Sequence, residues 1–261
     1  MILFFAIVIA VAILESALAL AVSFIGRFGD GGKAISDLLI KAPMLDVMLG
    51  MFSWIPWFVF GWSFGWRGVI GSMIGQVIAL FVWIAGHEYA YQEAVAGPRI
   101  VKVLNRTVGR WQNHAALWVT AVAFPGFLFI RLMEVAMYPM LVLLLKFPKY
   151  NQAEWVNISR QKFTVLVGHD LIWCLYCDWM TGVYSLGAEM LRNVESFWCP
   201  IRFYDGKKCD NCNMDFPDIN GGWVPADGNM RQVAEKLEEM YSGPGEKAWF
   251  GHPVRLTIKG Q

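Results

Sequence analysis

Charge is what this chain has least of. Of its 261 residues, 16% are charged and 56% are hydrophobic, where soluble domains run near about 25% and 45–50%. The net charge of +1 leaves no basic field for nucleic acid. The composition also excludes a disordered, collagen-like or coiled-coil chain, and no internal repeat is visible. Histidine is scarce as well. The four present, His87, His114, His169 and His252, are too few for the histidine boxes of a membrane di-iron oxygenase or desaturase. A Walker loop, a dinucleotide glycine fingerprint, a Ser-His-Asp order, an H-E-x-x-H helix and a haem-attaching C-x-x-C-H are all missing. Those absences lean the reading away from an enzyme.

Long apolar runs take the place of charge, with 13 Trp, 18 Phe and 8 Tyr suited to the headgroup layer. Met1 to Ile25 is broken only by Glu15, Ser16 and Ser23, and at about 1.5 Å per residue it crosses a ~30 Å core. Without a positive segment ahead of it, it reads as a retained span rather than a cleaved signal peptide. Val47 to Trp66 is the second candidate, with a kink expected at Pro56. Gly68 to Gly86 is the third, joined to the second by a turn around Arg67, so the two form a tight antiparallel hairpin. Small residues recur four apart at Gly61 and Gly65, then at Gly71 and Gly75. This spacing lets helices approach closely in lipid. Packing within the chain is the simpler use of these glycines, and self-association the sharper one.

Ala115 to Leu145 is harder to place. As one helix its 31 residues would reach roughly 46 Å, well beyond the hydrocarbon core. Pro125-Gly126, Arg131, Glu134 and Pro139 interrupt it. Either Ala115 to Ile130 enters and Leu132 to Leu145 returns as a re-entrant hairpin, or the chain crosses once and lies along the far interface. Arms of only 14 to 16 residues favour the hairpin. Lys and Arg number none before span one, three after it (Arg27, Lys33, Lys41), one after span two (Arg67) and four after span three (Arg99, Lys102, Arg106, Arg110). That alternation puts the N-terminus outside and Arg99 to Arg110 inside, as in a bacterial-type inner membrane. A single crossing would then put the C-terminal region outside, whereas the hairpin keeps it in the cytoplasm. On this topology the sequons Asn105-Arg-Thr and Asn157-Ile-Ser face the wrong side for glycosylation.

The expected fold is therefore mainly α: a polytopic helical membrane protein of three spans plus a re-entrant or interfacial hairpin. It divides into a membrane domain over 1–146, an amphipathic roofing region over 147–198 and a small Cys-containing region over 199–261. Ser159 to Leu191 reads as one long helix, too polar in its middle for a lipid-exposed span. Met230 to Tyr241 reads as a short amphipathic helix, and Val254 to Lys259 as a strand.

All five cysteines fall between 174 and 212. Cys174 and Cys177 share one face of the long helix. Cys209 and Cys212 lie in KKCDNCN among turn-forming residues, and Cys199 precedes Pro200. Two C-x-x-C pairs suit a tetrahedral thiolate site, with Cys199 an alternative ligand. Zinc fits a closed set of this kind, and a rubredoxin-type iron centre uses the same ligands. In an oxidising compartment Cys199 would instead pair with Cys209 or Cys212, and a buried cysteine also serves as a small hydrophobe.

The remaining chemistry gathers near the membrane boundaries. His87-Glu88 ends span three, and His169-Asp170 lies in the long helix. Should that helix cross the end of span three, the four converge as acid/base or metal residues for a lipid or quinone-like substrate. Glu15 inside span one needs a partner, either Arg131, another subunit or, if protonated, Ser16. Arg131 and Glu134, three apart, can satisfy each other. The leading expectation is an accessory subunit packed against membrane lipids and other integral membrane subunits, its C-terminal region stapled by metal. A membrane enzyme and an iron–thiolate electron carrier are the alternatives.

Overall fold

The computed structural model describes residues 1–212 and 222–248, without the side chains of Cys209, Asn211 and Cys212. The described chain is mainly helical and contains no strand, only the isolated bridges Lys41–Asn157 and Ile201–Val224. In order the helices are α1 (Ile2–Ile25), α2 (Gly29–Leu39), α3 (Met44–Met51), α4 (Trp54–Phe64), α5 (Trp66–Ala90), α6 (Gln92–Ala96) and α7 (Ile100–Thr107). They continue with α8 (Arg110–Ala121), α9 (Phe124–Leu132), α10 (Tyr138–Leu145), α11 (Gln152–Trp155), α12 (Gly168–Trp198), α13 (Gly206–Cys212) and α14 (Met230–Tyr241). Three helical stretches are long and apolar enough to cross a membrane: Ile2–Ile25, Trp66–Ala90 and Arg110–Leu145. The pair α3 and α4, bent by 47°, amounts to a fourth if it is one broken span.

Contacts divide the chain into two units. The first joins Met1–Val122 to Val156–Met180; the second joins Ala123–Trp155 to the described residues from Thr181 onward.

In the first unit α5 is central, packed on one side by α1 and on another by α4. Gly71 and Gly75 make the α1 contact possible. A Cβ at Gly75 would stand 2.7 Å from the Val8 carbonyl oxygen and one at Gly71 3.1 Å from Ile7 Cγ2, so these glycines serve packing within this chain. The α4–α5 hairpin turns on Gly65, whose φ of 62° suits only glycine without strain. The second span departs from a simple kinked helix. Because Pro56 has no N–H to give Phe52, the helix breaks outright at Phe52-Ser53, and the Ser53 hydroxyl turns back to the Leu49 carbonyl.

In the second unit α9 passes through a π turn (Met133–Met137) directly into α10. The return at Arg131 required by a re-entrant hairpin is absent. Pro125 and Pro139 sit in the first turns of their helices, where a missing N–H costs little. Arg131 and Glu134 neutralise each other at 2.7 Å, both buried, so no loop is needed to keep them wet. Back in the first unit, the expected helix from Ser159 begins only at Gly168, after a 3-10 turn at Arg160–Lys162, and it runs on to Trp198. Asp178 explains the delay. Its Oδ2 accepts from the Ser159 and Arg160 N–H groups at 2.7 and 3.2 Å, folding the preceding segment back along the helix.

Met230–Tyr241 is helical as its pattern predicts, closed by a capping box between Asn229 and Gln232. Residues 206–212, expected as a turn, form α13 instead, and the Asp205 carboxylate accepts from the Lys207 N–H at its start. The expected strand over Val254–Lys259 lies outside the described residues.

Candidate functional site

The four residues expected to converge do so in the first unit, around a fifth. His87 and Glu88 end α5, and Gly168, His169 and Asp170 open α12. The first N–H groups of a helix have no partner inside it. Here the α5 side chains supply them: Gly168 N–H donates to His87 Nδ1 at 3.2 Å and His169 N–H to Glu88 Oε1 at 3.1 Å. Asp170 does the same for α7, accepting from Ile100 N–H at 3.0 Å and Val101 N–H at 3.1 Å. A carboxylate at a helix N-terminus also meets the positive end of the helix dipole.

Arg99, just ahead of α7, ties these ends together. Its Nε donates to Asp170 Oδ2 at 2.9 Å, and its Nη2 to Glu88 Oε1 at 2.8 Å and to the Val167 carbonyl at 3.2 Å. Arg99 and Asp170 are 4% and 6% exposed. A lone carboxylate could not remain ionised at such burial, whereas one shared guanidinium with several N–H donors compensates both acids. Burial by itself would raise the Asp170 pKa. The His169 imidazole 3.7 Å away and the Arg99 guanidinium outweigh it and hold the carboxyl below its ordinary value.

Two features keep the knot tight. Gly168 has φ 50°, and a Cβ there would run into the Glu88 side chain, so only glycine lets α12 start against α5. The His87 ring lies tilted against both Trp83 and Tyr91, with centroids 4.9 and 4.7 Å away. His114 joins from α8, edge-on to His169 at 5.2 Å. His169 also borders a small cleft of about 110 Å³ with Leu104, Asn113, Trp173 and Cys174. Its Nδ1 makes no hydrogen bond among the described residues. His252 lies outside the described residues.

Arg99 was missed in sequence because it counted only toward loop charge. The available signal was its place in Gly97-Pro98-Arg99, immediately before a helix start. The partner of Glu15 was missed too. It is Gln76 of α5, whose Nε2 donates to Glu15 Oε1 at 3.0 Å and to the Ser53 carbonyl at 2.7 Å while its Oε1 accepts from Trp57 Nε1.

The cysteines divide between the units. Cys174 is half-buried and Cys177 exposed on the first unit's part of α12, and Cys199 is exposed in the second. The side chains of Cys209 and Cys212 lie outside the described residues. Among the described residues no three His, Cys, Asp or Glu side chains are grouped to hold a metal.

The second unit has its own polar core along α12. Glu189, Asn193 and Ser196 are fully buried. Arg192 donates to Glu189 at 2.9 Å, and Asn193 donates to the hydroxyls of Tyr138 and Tyr150. Tyr138 in turn donates to the Pro148 carbonyl at 3.2 Å, and the Tyr241 hydroxyl of α14 donates to Ser196 Oγ at 3.2 Å. Burial pushes the Tyr150 hydroxyl well above its ordinary pKa, so it stays a neutral donor and acceptor.

Compared with family models, with curated proteins and with solved structures, the chain matches none.

Proposed function

We propose that this chain is a non-catalytic subunit of a larger membrane assembly, a helical scaffold whose polar clusters hold its own helices in place. The observation that carries this reading is the occupation of the acid/base candidates. Both oxygens of Asp170, one oxygen of Glu88 and Nδ1 of His87 are committed to helix starts and to Arg99. A general base must reach a substrate proton, and a carboxylate bound by a guanidinium and two backbone N–H groups is a poor base. The arrangement supports a joint between helices more than a reaction centre.

The runner-up is a membrane enzyme, and the cleft beside His169, whose Nδ1 makes no hydrogen bond among the described residues, is what favours it. One experiment separates the two. The chain is extracted from its native membrane in mild detergent, and its mass is measured beside that of chain produced alone. A stoichiometric complex that keeps its mass in His169→Ala supports the subunit reading. A chain that runs alone in both preparations removes it. Gly71 and Gly75 are unsuited to probing the partner surface, because leucine at either would disrupt the contact with α1 first.

A further inference from the structure

The connection between α5 and α8 carries a site of its own. It links two of the stretches long and apolar enough to cross a membrane, so the two ends of the 91–109 connection belong to the same membrane surface. Exposed aromatic residues mark the headgroup depth at both ends, Tyr89 and Tyr91 at the end of α5 and Trp111 at the start of α8. Between them lies α7, amphipathic along its length. Ile100 and Leu104 on its apolar side line the cleft beside His169, while Val103 and Val108 remain about half exposed. An amphipathic helix of this kind beds its exposed apolar residues at a bilayer surface.

The polar side is basic. From Tyr91 to Arg110 the only acid is Glu93, against Arg99, Lys102, Arg106 and Arg110. Arg99 is consumed by Glu88 and Asp170; Lys102, Arg106 and Arg110 are exposed. Lys102 and Arg106, four apart on one face, line an open groove of about 700 Å³ with Gly97, Pro98, Val103 and Asn105. Lys102 Nζ reaches across to the Val95 carbonyl at 3.1 Å, which holds the ammonium over the groove.

We infer that this groove seats the headgroup of an anionic phospholipid from the adjoining leaflet, its phosphate between Lys102 and Arg106 and its glycerol and acyl start against Val103. Charge complementarity selects an anionic lipid, and the flanking aromatics place the groove where headgroups lie. The inference is independent of whether the chain is a subunit or an enzyme.

The test uses the full chain in a nonionic detergent, titrated with phosphatidylglycerol, phosphatidylcholine or inorganic phosphate, with bound molecules counted by native mass spectrometry. The wild type is expected to retain phosphatidylglycerol several-fold better than phosphatidylcholine. Lys102→Gln/Arg106→Gln should bring that preference close to parity, as expected for two basic groups taken from a membrane surface. Arg27→Gln/Lys33→Gln, which removes two exposed charges elsewhere, should leave it unchanged. Should the double variant lose helix content, Arg106→Gln alone gives the same readout with a smaller fall. Equal retention of both lipids by the wild type would overturn the proposal. So would an equal loss in Arg27→Gln/Lys33→Gln, or displacement of the lipid by inorganic phosphate at matched concentration.

Discussion

The two units keep buried charge by opposite means. In the first, the ionic partners come from distant parts of the chain: Arg99 meets a residue 11 positions before it and another 71 after it. Its carboxylates also take up the N–H groups of two helix starts. In the second, Arg131 with Glu134 and Arg192 with Glu189 are each three residues apart on one helical stretch. The first arrangement determines where helices begin and which ones meet; the second neutralises charge within single helical stretches, with Arg131 also reaching Gln152 at 2.7 Å. Buried ion pairs add little net stability over apolar residues of similar shape, yet removing one member is costly. The two units should therefore answer differently to the same kind of substitution.

The largest contrast comes from the arginines. Arg99→Met leaves Asp170 and Glu88 without their shared cation and should cost about 3–5 kcal/mol, read as a lowered unfolding midpoint in detergent. Substituting both partners sharpens the comparison. Arg131→Met/Glu134→Leu removes charge and counter-charge together, along with the 2.7 Å bond from Arg131 Nη2 to Gln152 Oε1, and should recover most of what either single substitution costs. Arg99→Met/Asp170→Leu should not recover, since the Ile100 and Val101 N–H groups lose their acceptor at about 1–3 kcal/mol each. Equal recovery in both double variants would erase the distinction between the two units.

A smaller effect is expected at Gly168. Alanine there must hold a left-handed conformation at about 1–2 kcal/mol and push Glu88 from the start of α12. The measurement is the unfolding midpoint of Gly168→Ala beside that of Gly206→Ala, where an added Cβ meets open space. A Gly168→Ala midpoint no lower than that of Gly206→Ala would mean the close start of α12 against α5 is dispensable.

Legibility in the sequence follows the same division. The apolar runs of α1 and α5, the Arg131–Glu134 pair and helix α14 are periodic or local, and all were read from spacing. The meeting of His87, Glu88, His169 and Asp170 follows from a crossing of two helices, but the cation between them does not. Gly97-Pro98-Arg99 marks a helix start but does not name the carboxylate 71 positions on that Arg99 meets. Gln76 is hidden in the same way, one amide on an otherwise apolar helix whose partner Glu15 is 61 positions back. The break before Pro56 and the uninterrupted passage through Arg131 fail for another reason. Pro marks where a helix loses a bond and an ion pair where charge sits, but neither states whether the neighbouring helices supply a substitute.

Acid titration gives the finest test of the first unit's knot. The Asp170 carboxyl is held below its ordinary value in the folded chain, whereas the unfolded chain returns it to about 3.9. A depressed folded pKa means the unfolded state binds the proton first, so stability rises with pH across this range. The contribution is complete above the unfolded value and drains away as the pH falls below about 4 toward the folded one. Unfolding midpoints of wild type and Asp170→Asn, measured from pH 7 to pH 3, should therefore differ most at neutral pH and converge on acidification. Asparagine keeps an acceptor for α7 but no charge for Arg99, so the convergence isolates the ionic part. A constant gap across the range would mean that Asp170 acts only as a cap, and the contrast with the local pairs of the second unit would then rest on backbone N–H groups alone.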